Sequence, residues 1–284
     1  MTKKAAIIGG GITGLSLAYF LLKKGFQPTV FEKRDHLGGL LATIKAGETR
    51  LEKFYHHFFA QDAAAVRLVD ELGLKDRLGW AYPRMGFFQN SELHSFTTPL
   101  DLLTFSPLSL PDRVRFGLFS LRAKAEADWR SLESVPASEW LTDKLGQQTY
   151  DKVWRPMLAA KFGKYAGEIP AAWVRARLRA RSKSRSRGGA REKLGYLKGS
   201  YQVLIDALAE KIVSGGGGIR LEAGTANFPL PDFDLTVVTT PNAYPVPAIR
   251  YLGNICLVLR LHQPFGRFYW TNIADFRLPF CARS

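Results

Sequence analysis

The run Lys4-Ala5-Ala6-Ile7-Ile8-Gly9-Gly10-Gly11-Ile12-Thr13-Gly14-Leu15-Ser16-Leu17-Ala18-Tyr19-Phe20-Leu21-Leu22 decides the fold of this chain. Ala5 to Ile8 are aliphatic without alternation, the pattern of a parallel strand buried on both faces. A Gly-x-Gly-x-x-Gly turn follows at once through Gly9, Gly11 and Gly14. Leu15 to Leu22 then reads as a helix, closed by Lys23, Lys24 and the C-terminal Gly25. Gln27 to Glu32 is a second strand that ends in an acid. Strand, turn, helix, strand and acid fit within one βαβ unit.

Each of these positions has a physical task. Gly9 permits the tight turn out of the strand, Gly11 lets backbone approach a pyrophosphate, and Gly14 lets the helix pack closely on the sheet. The helix N-terminus offers free N–H groups and partial positive charge to phosphates. Glu32 can accept hydrogen bonds from ribose hydroxyls, and its charge disfavours a 2′-phosphate, which argues against NADP. A glycine turn alone is weak evidence, since a plain βαβ connection would satisfy it. The acid in register points to a dinucleotide.

The next segment, Glu32-Lys33-Arg34-Asp35-His36-Leu37-Gly38-Gly39-Leu40-Leu41-Ala42-Thr43, resembles the FAD-dependent amine oxidase, protoporphyrinogen oxidase and phytoene desaturase superfamily, with UDP-galactopyranose mutase as a cousin. The resemblance implies FAD as cofactor, with Glu32 on the ribose, Arg34 near the adenosine or pyrophosphate, and Gly38 and Gly39 along the dinucleotide. Leu40 departs from the family pattern, where many members carry Arg. Phe54-Tyr55-His56-His57-Phe58-Phe59 is similar to a His-rich segment beside the flavin in the mutase branch, so His56 and His57 are candidates for that pocket. The alternative is a histidine satisfied within the core. Lys161-Phe162-Gly163, after Pro156, resembles a recurring turn of the family's helical insert. Lys161 and Arg155 are candidates to face an acidic substrate, against the alternative of a solvated face.

The resemblance sets the expected fold class: α/β, a discontinuous Rossmann-type FAD-binding domain with an inserted, mostly helical α+β substrate domain. Residues 1–80 and 195–245 are assigned to the first, 81–194 and 246–284 to the second. Helices are expected at Ala63–Leu72, Pro111–Trp129, Ala137–Leu145, Thr149–Phe162 and Tyr201–Val213, with a short hairpin near Trp80 to Pro99. Ile219–Glu222, Asp234–Pro241, Asn254–Leu261 and Phe268–Ile273 read as strands. Ser200 stands where the family turn carries a second glycine. The family continues past residue 284, so the chain is expected to be a truncated member.

Composition narrows the rest. With 46% hydrophobic and 23% charged residues, the 284-residue chain is globular. Only Cys256 and Cys281 are present, which supports neither a disulfide framework nor a zinc site and suits a reducing, cytoplasmic setting. No metal site is expected. The net charge of +15 favours anionic partners. Much of it lies in a run from Arg175 to Lys193 that contains Arg177, Arg179, Arg181, Arg185, Arg187 and Arg191. No aromatics interleave that run, so nucleic-acid binding is not expected. Ser182 to Gly189 within it reads as a loop, and peripheral contact with an anionic membrane and a plain solvated loop both remain open. The leading functional expectation is an FAD-dependent oxidoreductase accepting a hydride from a small-molecule substrate. A non-redox nucleotide-sugar mutase and an inactive nucleotide-binding remnant are the alternatives.

Overall fold

A computed structural model describes all residues except 1, 123–127, 184–191, 225–228, 242–250, 254, 264–265, 276, 279–281 and 284. The strands are β1 (Lys4–Ile8), β2 (Gln27–Phe31), β3 (Thr43–Ala46), β4 (Thr49–Glu52), β5 (Phe58–Phe59), β6 (Leu78–Ala81), β7 (Met85–Gln89), β8 (Glu92–Ser95), β9 (Leu194–Leu197), β10 (Gly218–Arg220), β11 (Leu235–Val238), β12 (Trp270–Ile273) and β13 (Ala282–Arg283). The α-helices are α1 (Ile12–Lys23), α2 (Ala63–Glu71), α3 (Pro99–Leu103), α4 (Leu110–Arg122), α5 (Ala137–Leu145), α6 (Gln147–Thr149), α7 (Arg155–Phe162), α8 (Ala171–Lys183) and α9 (Gln202–Ser214).

The chain divides into two compact units. One comprises Met1–Phe58, Ala63–Gly79 and Tyr196–Arg260, and the other Phe59–Asp62, Trp80–Gly195 and Leu261–Ser284.

The first unit is built on a parallel sheet in the order β10-β2-β1-β11. Ala5, Ala6, Ile7 and Val30 are fully buried, which explains why β1 shows no polar alternation. Leu15, Ala18 and Leu21 of α1 and Leu204, Leu208 and Ile212 of α9 are buried, and the two helices pack together. Chain order puts β2 on one side of β1 and β11 on the other. The carboxyl ends of β1 and β11 therefore flank a topological switch point, where open α/β sheets bind ligands. Beyond this sheet, β3 and β4 form an antiparallel hairpin.

The second unit holds a sheet in the order β13-β12-β7-β8, with β7 and β8 as an antiparallel hairpin. Its core is aromatic: Phe87 and Phe105 meet edge to face at 5.4 Å, and Phe119 meets Trp140 at 5.0 Å. The helical span expected over Thr149–Phe162 is interrupted, because Tyr150–Trp154 is a π turn leading into α7. Pro156 sits in the first turn of α7, where its missing N–H breaks the regular ladder and accounts for the widening.

Three sequence expectations change. The loop read at residues 182–189 starts later, because Ser182 and Lys183 end α8, in which Arg175 to Arg181 alternate with other strong helix formers. The expected loop itself, residues 182–189, lies almost wholly outside the described residues. The strand expected over Asn254–Leu261 is absent among the described residues, and Ile255 is 95% exposed. Alternating apolar residues mark a face, but a strand also needs a neighbour to take its N–H and C=O groups. Finally, Trp129 stands outside α4, which is described only to Arg122.

Candidate nucleotide site

The glycine turn is fixed to the sheet where it leaves β1, through both polar groups of the Ile8–Gly9 peptide. The Gly9 N–H donates to the Phe31 carbonyl at 2.8 Å, and the Thr239 hydroxyl donates to the Ile8 carbonyl at 2.9 Å. Gly9 has φ +113°, and a Cβ there would lie 2.7 Å from Thr239 Oγ1. At Gly14 a Cβ would fall inside the envelope of the Gly9 carbonyl oxygen, so helix and turn can be this close only with glycine. Gly10 is equally restricted, since a Cβ would meet Leu37 Cδ2 at 2.6 Å and the Glu32 Cβ at 3.0 Å. Gly11 differs. A Cβ there would touch only Gly39 Cα, at 3.8 Å, so its outer side is open to a ligand.

Glu32 lies just beyond β2 and is buried at 8% exposure. Its Oε2 accepts the Gly10 N–H at 2.7 Å, and its Oε1 accepts the Arg34 N–H at 3.0 Å. Each oxygen keeps a lone pair for a hydroxyl donor. The Arg34 guanidinium is exposed and has no hydrogen-bond or ion-pair partner among the described residues.

The second glycine pair joins the first by backbone. Gly38 donates to the Gly10 carbonyl at 2.8 Å and forms an isolated parallel bridge with Gly11. Gly38 and Gly39 have φ of +115° and +56°. A Cβ on Gly39 would lie 3.0 Å from Gly11 Cα, so the two glycine segments approach as closely as backbone allows. The α1 N-terminus beside them has Gly11 as N-cap, no side-chain cap and no acidic residue in its first turn. Its first N–H groups are thus left for an anion.

These features fit a dinucleotide. The uncapped helix end and paired glycines suit a diphosphate, and the buried carboxylate suits ribose hydroxyls.

The His-rich segment is tied to its neighbours. His56 Nε2 lies 2.9 Å from the Leu40 carbonyl, to which it must donate, and its ring meets Tyr201 at 6.0 Å. His56 thereby holds the residue that follows the glycine pair. His57 packs its ring against Tyr196 at 6.3 Å. Leu40, at the position where the resemblance leads one to expect Arg, is 72% exposed. Lys161 belongs to the other unit, where its ammonium lies 5.9 Å from the Trp173 ring centroid, with Arg177 at 5.5 Å from the same ring.

Sequence reasoning missed Gly10 and Thr239 as structural members of the turn. Their signals were present, in the middle glycine of Gly9-Gly10-Gly11 and in Thr239-Thr240-Pro241 after β11, but only proximity reveals their task. It also missed a hollow of about 270 Å³ lined by His36, Thr43, Arg50, Lys53 and Gln202. There His36 Nδ1 lies 2.5 Å from Asp35, and His36 Nε2 lies 3.4 Å from Lys53 Nζ. The hydrogen bond from His36 holds the Asp35 carboxyl below its usual range. Among the described residues, no group of three or more His, Cys, Asp or Glu is placed to hold a metal ion, and no helix is long and apolar enough to cross a membrane.

Comparison with known proteins accords with this geometry. Residues 12–240 match the family model of flavin-containing amine oxidoreductases. A 15-cis-phytoene desaturase from Synechococcus elongatus is 26% identical over 265 residues, covering 87% of this chain and 54% of the relative. A coproporphyrinogen III oxidase from Bacillus subtilis is 29% identical over 187 residues, covering 59% of this chain and 37% of the relative. The chain thus spans about half, or less, of the length of the curated relatives it matches. Among solved structures, an oxidoreductase from Methanosarcina mazei superposes with a TM-score of 0.56 at 19% identity, over 77% of this chain and 51% of that one.

Proposed function

This chain belongs to the flavin-containing amine oxidoreductases, an FAD-dependent oxidoreductase family with a Rossmann-type α/β fold, and from that premise we propose that its glycine cradle holds FAD for the oxidation of a small-molecule substrate. The observation that carries the proposal is the backbone stitch between the two glycine segments beside an uncapped helix end and a buried carboxylate. Glu32 accepts the ribose hydroxyls with the lone pairs its backbone partners leave over. The first turn of α1 and the backbone that follows Gly38, whose own amide is held by the Gly10 carbonyl, face the diphosphate. Arg34 adds a mobile positive charge at the same edge. His56 positions the Leu40 carbonyl and with it the backbone that follows the glycine pair. When bound, the flavin supplies the two-electron chemistry, accepting a hydride from a C–H or N–H centre.

The proposal takes the protein as cytoplasmic and includes peripheral contact with an anionic membrane surface, supported by the net charge of +15.

The test is the visible absorption spectrum of the purified chain, with the released chromophore identified by mass. Bound FAD supports the reading and opens a substrate screen. A colourless protein that stays folded yet takes up no added FAD overturns the cofactor assignment.

A further inference from the structure

The hollow of about 270 Å³ lies wholly within the first unit, between the loop after β2, the β3–β4 hairpin and the start of α9. Leu37 separates it from the glycine cradle. That side chain lines the hollow, and its Cδ2 packs so close to Gly10 that a Cβ there would lie 2.6 Å away. Three basic residues, His36, Arg50 and Lys53, line the hollow with it.

The charge on these walls is unmatched. The Arg50 guanidinium has no hydrogen-bond or ion-pair partner among the described residues. Lys53 Nζ lies 3.4 Å from His36 Nε2. In the neutral ring that contact is favourable, because His36 Nδ1 lies 2.5 Å from Asp35 Oδ1 and must donate to it, which leaves Nε2 a lone pair for the ammonium. Once protonated, the imidazole turns an N–H and a positive charge towards Lys53 and Arg50. An anion among the three then offsets their mutual repulsion.

The neighbouring acids are bonded elsewhere, and no carboxylate lines the hollow among the described residues. Asp35 holds His36 Nδ1. Glu52, on the same hairpin face as Arg50, accepts the Tyr201 amide at 2.9 Å. Asp206 accepts Gln202 Nε2 at 2.8 Å, while Gln202 Oε1 accepts the Thr43 hydroxyl at 2.8 Å. Lys45, opposite Arg50 in the hairpin, adds a further positive charge. A guanidinium fork, an ammonium and an imidazolium supply donors from three directions. They match the three terminal oxygens of a phosphate group better than the two of a carboxylate. The hollow is several times larger than a water molecule, which leaves room for a small organic part beside the phosphate.

We propose that this hollow is an anion site separate from the dinucleotide cradle, holding the phosphate group of a small phosphomonoester, or free phosphate, between Arg50, Lys53 and a protonated His36. Binding is non-covalent and takes up one proton, at His36 Nε2.

The experiment is isothermal titration calorimetry of the whole chain at about pH 6.5, where imidazole readily gains a proton. Inorganic phosphate, glycerol phosphate and acetate are titrated in separate runs, without FAD and with FAD in excess. The expected result is binding of both phosphates, unchanged by FAD, with acetate ~10-fold weaker or more. Arg50→Gln and Lys53→Gln each weaken phosphate binding about 10-fold, the loss of one charge-assisted hydrogen bond. Lys75→Gln, at an exposed lysine of the same unit, is the control and changes nothing. Sulfate keeps its double charge near neutral pH and so reports the protein's own proton. Its affinity falls about 10-fold from about pH 6 to about pH 8, and His36→Gln flattens that profile. Circular dichroism melts confirm that each variant is folded.

An unaltered chain that binds neither phosphate overturns the proposal, as does phosphate binding undiminished in both Arg50→Gln and Lys53→Gln. Phosphate displaced by FAD belongs to the glycine cradle and overturns it too. Acetate binding as tight as phosphate reduces the hollow to a general basic surface, and a sulfate affinity independent of pH removes the protonated His36; either result overturns the site as stated. Tighter binding of glycerol phosphate than of inorganic phosphate assigns the ligand as a phosphorylated small molecule, and equal binding assigns it as free phosphate. A chain that takes up no FAD yet binds phosphate in this way overturns the cofactor assignment and leaves the hollow standing.

Discussion

The amide of Gly38 donates to the carbonyl of Gly10 at 2.8 Å, across 28 residues of chain, and so makes one cradle out of two glycine segments. Glu32 completes the stitch from the side, because its Oε2 takes the amide of the same Gly10. The carboxylate therefore does two things at once. It shapes the turn in the folded protein, and it offers its remaining lone pairs to a ligand.

Glu32→Gln separates these roles poorly and should be costly. An amide has one accepting oxygen, so its NH2 must confront either the Gly10 or the Arg34 amide. The expected loss is about 1–3 kcal/mol of stability, read from denaturant unfolding. Glu32→Ala should in addition weaken FAD binding by about 1.5–3 kcal/mol for each charge-assisted hydrogen bond lost. An unchanged FAD affinity in the alanine variant would remove Glu32 from the ribose site.

Gly14→Ala and Gly11→Val should fail in different ways. At Gly14 the new Cβ meets the backbone of Gly9, which cannot move without breaking β1 from its turn. The expected outcome is a poorly folded protein with a lowered melting temperature. At Gly11 the outer side is open, so the valine variant should fold but place its branched side chain in diphosphate space. A folded Gly11→Val protein with full FAD affinity would mean that the diphosphate lies elsewhere.

Ser200 occupies a left-handed backbone position, at φ 70°, directly after Gly199 at φ +96°. The strain of such a position costs a non-glycine residue roughly 1–2 kcal/mol. The hydroxyl offsets part of it by accepting the Gln202 N–H at 3.2 Å at the start of α9. Ser200→Ala keeps the strain and loses that bond, so it should destabilise by about 1 kcal/mol. Ser200→Gly relieves the strain and should be close to neutral or stabilising. Thermal melts that rank the alanine variant above the glycine variant contradict this account.

The N-terminus of α3 should be sensitive to acid. Burial raises the Asp101 carboxyl, but the Thr98 and Thr97 amides, with the Ser95 and Thr98 hydroxyls, outweigh it and leave the net value below the usual one. The folded-state value is therefore the lower of the two. The stabilisation is present in full above the unfolded value near 4, and is lost as pH falls through the folded value. Amide proton shifts of Thr97 and Thr98, both bonded to Asp101 Oδ2 at 2.8 Å, should titrate with a midpoint below about 4. A midpoint at or above that value would contradict the assignment.

What could be read from the sequence follows from the range of the interactions involved. The βαβ unit was legible because its parts are neighbours in the chain: a buried strand, glycines where backbone must bend, a helix and an acid one strand later. Helices α2, α5 and α9 were legible for the same reason, since their periodicity and terminal signals are local. The α8 helix was obscured because Arg alternates there with Ala and gives no apolar stripe to count.

The amino-acid sequence by itself determined the glycine turn, the acid that follows it and the aliphatic strands around them, because hard-sphere limits on backbone and the exclusion of water act residue by residue. Only the tertiary structure decided that Gly10 and Gly38 share a hydrogen bond and that His56 holds the Leu40 carbonyl. It also decided that α4 buries Phe116 and Phe119 while leaving Leu118 and Leu121 outside. Those outcomes depend on which distant segment arrives to satisfy a polar group or cover an apolar face. Residue type records the need for a partner, and the folded chain selects which partner meets it.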